Sequence, residues 1–145
     1  MWTFRNSTIV IAALFSLTLC GAASAAALHF TAKLDGSGET PPARARGAGE
    51  ATVTLDLTRK VIDWRLEYSG LSGPITLARF RGPEPRDEKG DAAVTLRIGR
   101  SNPAQGSVTL TDDQIEDLAA GLWTLNLHTA AHPHGEIRGQ VLPTE

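Results

Sequence analysis

This chain has almost no cysteine. The sole thiol in 145 residues is Cys20, and it lies in an apolar N-terminal run that reads as an export signal. Once that run is removed, no disulfide, no thiolate metal site and no cysteine nucleophile is available. Most small exported domains lean on disulfides, so this one must stabilise itself by burial. An excess of charge of either sign is also missing. Fourteen Lys and Arg against sixteen Asp and Glu give a formal net charge of −2. Loss of Arg5 with the leader would make it −3. That balance implies neither nucleic acid nor an anionic membrane as partner. The apolar run from Ile9 to Leu19 falls short of the ~20 residues that a membrane span needs. Glycine fingerprints for dinucleotides, phosphates and hydrolase nucleophiles (G-x-G-x-x-G, a P-loop, G-x-S-x-G) are absent as well.

The leader itself is present in full. Arg5 supplies the positive start and residues 9–19 the apolar core. Ala23-Ser24-Ala25 is an A-x-A cleavage site. Leu19 before Cys20 argues against lipidation at that cysteine. The chain thus divides into a secretory signal, residues 1–25, and one domain, residues 26–145, with no transmembrane span after cleavage. A secreted or periplasmic location follows.

The domain reads as short strands. Residues 28–34, 51–57 and 61–68 alternate apolar and polar with period two. Ile62, Trp64, Leu66 and Tyr68 share one face, and Asp63, Arg65 and Glu67 the other. Further strands are predicted at 75–80, 92–98, 106–110, 122–129 and 135–142. Turn-rich breaks separate them. One helix interrupts. Thr111 with Gln114 three residues on has capping-box form, Asp112 and Asp113 suit the helix dipole, and Gly121 can end it. About eight strands and one short helix argue an all-β antiparallel sandwich or barrel. Trp64 and Trp123 sit on apolar faces and are predicted to pack in the core. The loop 35–49 breaks pattern completely, and Glu39-Thr40-Pro41-Pro42 reads as stiff and exposed.

Several side chains invite a chemical reading. His128, His132 and His134 fall within seven positions at a hairpin, and imidazoles so placed can converge on Zn²⁺ or Cu²⁺. A solvated turn with His128 on a backbone group is the competing expectation. Arg79 and Arg81 project two cations from one strand face and can bind a carboxylate or phosphate; a solvated rim with Glu84 is the plainer alternative. Glu136 and Arg138 lie two apart on one strand face and read as structural, bonding across the hairpin to Asn126 and His128. The acidic residues nominate no catalytic pair.

In order along the chain, Phe30-Thr31-Ala32-Lys33-Leu34, Gly38-Glu39-Thr40-Pro41-Pro42, Leu66-Glu67-Tyr68-Ser69-Gly70-Leu71, Asn126-Leu127-His128-Thr129 and Gly135-Glu136-Ile137-Arg138-Gly139-Gln140 resemble a CHRD domain, the module named from chordin. The resemblance marks Glu39, Pro41, Pro42, Asn126, His128, Gly135, Glu136, Arg138 and Gly139 as its structural motif. One segment departs. Where the family usually carries Ala-His-Ile-His-Gly-Pro, this chain has Ala78-Arg79-Phe80-Arg81-Gly82-Pro83, so two arginines replace two histidines and disfavour a cation there. The resemblance implies an immunoglobulin-like or superoxide-dismutase-like β-sandwich. It implies an extracytoplasmic module and no activity. The reading is therefore a monomeric, non-catalytic module that binds a protein or an envelope polymer through loop 35–49 and the ridge 79–86. A small Cu or Zn protein and a purely structural envelope protein are the alternatives.

Overall fold

The clean alternations become the longest strands. In a computed structural model covering residues 26–84 and 91–145, β1 (Ala27–Asp35), β2 (Ala48–Asp56) and β3 (Val61–Ser69) each run 9 residues. They form an unbroken antiparallel meander. Ala27 pairs with Asp56 and Asp35 with Ala48 on one side; Ala48 pairs with Ser69 and Asp56 with Val61 on the other. The side-chain period does the rest. Ile62, Trp64 and Leu66 are buried, while Asp63, Arg65 and Glu67 face solvent. The proposed leader and residues 85–90, including Arg86, lie outside the described residues.

Five shorter strands follow: β4 (Ile75–Arg81), β5 (Ala92–Leu96), β6 (Ala104–Thr109), β7 (Trp123–Thr129) and β8 (Ile137–Pro143). The spatial order is β5-β4-β7-β8-β1-β2-β3-β6, and every pairing is antiparallel. β1 is the strand that unites them. It pairs with β2 along one edge and with β8 along the other, so the expected sandwich is one continuous sheet wrapped nearly into a barrel. Two expected strands shift. β6 starts at Ala104, two residues before the predicted start. β8 starts at Ile137 because Gly135, at φ +127°, cannot continue extended pairing.

Helix α1 (Asp112–Ala119) forms as the capping box predicts. The Gln114 amide donates to Thr111 Oγ1 at 3.3 Å, and the Thr111 amide donates to Gln114 Oε1 at 3.0 Å. Gly121 follows at φ +72° and turns the chain into β7. The Gln114 side chain also donates to the Ala93 carbonyl at 3.1 Å, which ties the helix to edge strand β5. Leu118 is buried beneath it.

The core is aliphatic with a few large rings. Phe30, Phe80 and Trp123 are fully enclosed. The Phe80 and Trp123 ring centres lie 5.4 Å apart at 33°, a tilted aromatic contact. Burial of each such side chain contributes about 1.5–3 kcal/mol. No helix among the described residues is long and apolar enough to cross a membrane.

Candidate functional site: a buried polar face on β4, β7 and β8

Every residue of β7 is buried. Trp123, Leu125 and Leu127 point into the core, so Thr124, Asn126 and His128 point the other way. That outer face would ordinarily meet water. Here it is covered, and the cover comes from loops. Across the face, Arg79 is opposite Asn126, Asn126 is opposite Arg138, and Arg138 is opposite Asp35. The neighbouring row is Arg81, Thr124 and Gln140.

Arg138 organises the cover. One guanidinium nitrogen lies 2.8 Å from Glu84 Oε1, with the two side chains 2% and 1% exposed. Another donates to the Gly38 carbonyl at 3.1 Å and to Thr40 Oγ1 at 3.0 Å. The Thr124 hydroxyl donates to the same Glu84 oxygen. One arginine thus holds the loop after β1 and the segment after β4 against β8.

A second carboxylate closes the face. Asn126 Nδ2 donates to Glu39 Oε1 at 2.5 Å. The Glu39 carboxylate presses on Gly135, where a Cβ would fall 2.5 Å from both of its oxygens. A third, Glu136, caps the hairpin end. It accepts from the Ser72 amide at 2.8 Å, from the Ser72 hydroxyl at 2.6 Å and from the Thr129 hydroxyl at 2.5 Å. Burial pushes its pKa up. The Ser72 and Thr129 hydroxyls, the Ser72 amide and the charge of His132 together outweigh that and hold it below the ordinary carboxylate value.

Four expectations change on this geometry. Glu136 and Arg138 bond to more than the hairpin strand expected for them: the loops at 38–40, 72 and 84 and Thr129 all supply partners. Glu39 is 4% exposed, where an exposed segment was expected, because its loop folds down onto Asn126; Pro41 and Pro42 remain exposed beside it. Glu84 is a buried ion-pair partner and not a solvated rim. Arg79 and Arg81 are half-buried on β4.

The three clustered histidines differ in their surroundings. His128 is buried, and its Nδ1 donates to the Pro133 carbonyl at 2.8 Å. His132 is half-buried and His134 exposed. No group of three His, Cys, Asp or Glu side chains among the described residues is arranged to hold a metal ion. His134 instead borders a narrow space with Glu39, Arg81, Asn126 and Arg138.

Beside the covered face opens a cleft of about 380 Å³. Lys33 and Asp35 of β1, Ser37 and Thr40 of the following loop and Gln140 of β8 border it, with Arg138 beneath. Asp35 is itself held below its usual pKa, first by the Ser37 hydroxyl, with further help from the Gly38 amide; partial burial opposes them.

A family model for the CHRD domain matches residues 30–141. The chain belongs to the CHRD family. The match runs from Phe30 in β1 to Val141 in β8 and so takes in the whole sheet. No curated protein and no solved structure matches the chain at a significant level. In this CHRD domain the motif residues Glu39, Asn126, Gly135 and Arg138 meet at one place although 87 positions separate Glu39 from Asn126. Sequence reasoning missed Glu84 as the partner of Arg138, Thr124 as a second donor to Glu84, and Ser72 as the partner of Glu136. The available signal was Arg138 itself: an arginine within an apolar strand needs a carboxylate.

Proposed function

We propose that this CHRD domain is an exported, non-catalytic module that binds a protein or envelope polymer through the cleft beside β1 and β8. One observation carries the reading. Glu39, Glu84, Glu136 and Arg138 are engaged in holding loops, and the loop so held borders an open polar cleft of about 380 Å³. Rigidly held loops bind with less ordering cost than free ones. The same engagement leaves these carboxylates poorly placed as acids or bases, since each would have to break a structural bond to move a proton. The leader, with its A-x-A site, supports export.

The test places a photo-crosslinking residue at Ser37 and, separately, at the exposed Ser107 on β6. The full chain is expressed in its host. The expected result is one envelope adduct from Ser37 and none from Ser107, on a mature chain beginning at about residue 26. Lys33→Glu should abolish the adduct without changing the melting temperature. No adduct from Ser37, or the same adducts from both positions, overturns the reading.

A further inference from the structure

The two edges of the sheet differ. Strand order places β5 at one end and β6 at the other. β5 is 5 residues long, its pairing with β4 slips at Phe80/Arg81, and its Ala93 carbonyl takes the Gln114 side chain at 3.1 Å. Shortness, an irregular register and a covering group all keep an edge from pairing further. β6 has no such guard. Ala104-Gln105-Gly106-Ser107-Val108-Thr109 carries no charge and no proline, and it pairs with β3 over 6 consecutive residues without a slip.

Register fixes which backbone groups of β6 are open. The Leu110 amide donates to the Lys60 carbonyl at 2.8 Å, so position 110 faces β3. Residues two apart on a strand direct their backbone groups to the same side. Val108, Gly106 and Ala104 therefore face β3 as well, and Gln105, Ser107 and Thr109 turn their N–H and C=O groups away from it. All three are exposed, and no backbone hydrogen bond among the described residues reaches them from the open side.

Such a row of donors and acceptors is matched by another extended backbone, and β6 matches itself. In an antiparallel pair about a two-fold axis at Ser107, Ser107 meets its own counterpart, and Gln105 meets Thr109 of the second copy on either side. Every outward-facing residue then meets an outward-facing one, which makes three bonded pairs with two hydrogen bonds in each. The side chains agree with this register. Half-buried Val108 falls opposite Gly106, which has no side chain and sits against the Trp64 ring. The other face carries hydroxyls and an amide, and there Ser107 already donates to Asp63. Asp63 and Arg65 lie one strand back, so two strands stand between each and its counterpart. At the strand end Lys60 is matched by Asp112 at 2.7 Å.

We propose that β6 is the contact strand of a symmetric dimer, in which two copies of this chain pair edge to edge and join their sheets. The sequence reading expects a monomer; strand order and register, which composition does not carry, alter that. The dimer is independent of the cleft beside β1 and β8, and neither depends on the other. A crosslink between two copies at Ser107 contains no other envelope component and leaves the comparison with Ser37 as it stands.

The test is sedimentation of the mature protein over a range of concentrations, with amide exchange followed by NMR on the dilute and concentrated samples. One short edge is a small interface, so association should rise with concentration. The sedimenting mass should move toward twice that of one chain. The amides of Gln105, Ser107 and Thr109 should exchange about fivefold more slowly in the concentrated sample, and the β5 amides should not change. Ser107→Lys sets two like charges face to face at the axis while leaving Asp63 beside each. It should weaken association about tenfold or more with the melting temperature of the dilute protein unchanged. Thr95→Lys on β5 should associate like the parent. Should Ser107→Lys fold poorly, Ser107→Cys in a mature chain with no other thiol takes its place: a short bis-maleimide should join two copies through it and should not through Thr95→Cys. A monomer at every concentration, unchanged exchange at the three amides, equal association of a folded Ser107→Lys, or equal joining through Thr95→Cys each overturns the proposal.

Discussion

Arg138 and Glu84 are 54 positions apart in sequence and 2.8 Å apart in space, each almost wholly withdrawn from water. This contact joins β8 to the segment leaving β4, while a second guanidinium nitrogen of Arg138 holds the loop after β1. Removing one partner of a buried pair strands the other charge and costs about 3–5 kcal/mol. Arg138→Ala and Glu84→Ala should each lose stability in that range in urea unfolding. The double variant should lose clearly less than the sum, because no stranded charge remains. Additive losses would mean that the two groups act through separate partners.

Glu136 gives the domain a defined acid limit. Its carboxylate is held below the ordinary value of 4.5 by the hydroxyls of Ser72 and Thr129 and by the Ser72 amide, against the opposing effect of burial. A depressed folded-state pKa stabilises the native form fully above the unfolded value, and that contribution is lost as pH falls through the folded value. Stability should therefore hold from neutrality to about pH 5 and decline below about 4.5. Glu136→Gln should lower stability at pH 7 and flatten the decline between about pH 5 and 3. A slope unchanged by the substitution would assign the acid limit to other carboxylates.

The histidine arrangement makes a metal prediction. His128 is turned to Pro133, and no three-donor group is assembled among the described residues. Native mass spectrometry with Zn²⁺ or Cu²⁺ should show no stoichiometric ion that disappears in His132→Ala/His134→Ala. An ion lost in that variant would establish a centre that forms only when metal draws the turn together.

The fold was legible wherever one face of a strand meets water. β3 alternates because Asp63, Arg65 and Glu67 are solvated, and the Thr111–Gln114 capping box announces α1 locally. β7 shows the limit. Trp-Thr-Leu-Asn-Leu-His-Thr alternates like a half-exposed strand, yet every residue is buried. Periodicity reports which side chains share a face; it carries no information on whether a loop distant in sequence covers that face. Glu39 was misread for the same reason, since its Gly- and Pro-rich surroundings describe a loop and not where the loop lands. Arg138 implied a carboxylate, but nothing local in the sequence pointed to Glu84, 54 positions away.

Two glycines separate these causes experimentally. Gly135 adopts φ +127°, and a Cβ there would lie 2.5 Å from both oxygens of Glu39; at Gly139 a Cβ would lie 2.0 Å from the Lys33 carbonyl across the β1–β8 pair. Gly135→Ala thus meets both backbone strain, worth about 1–3 kcal/mol, and a collision with a side chain. Gly139→Ala meets a collision with backbone, which can be relieved only by parting the two strands. Both should lose about 2 kcal/mol or more in urea unfolding. Gly73→Ala, with nothing within 4 Å of the added methyl, should stay within about 0.5 kcal/mol of the parent. Adding Glu39→Ala should recover part of the loss at Gly135, by removing the side chain in the way, and none at Gly139. Equal behaviour of the two glycines in the Glu39→Ala background would show that Glu39 does not occupy the space against Gly135.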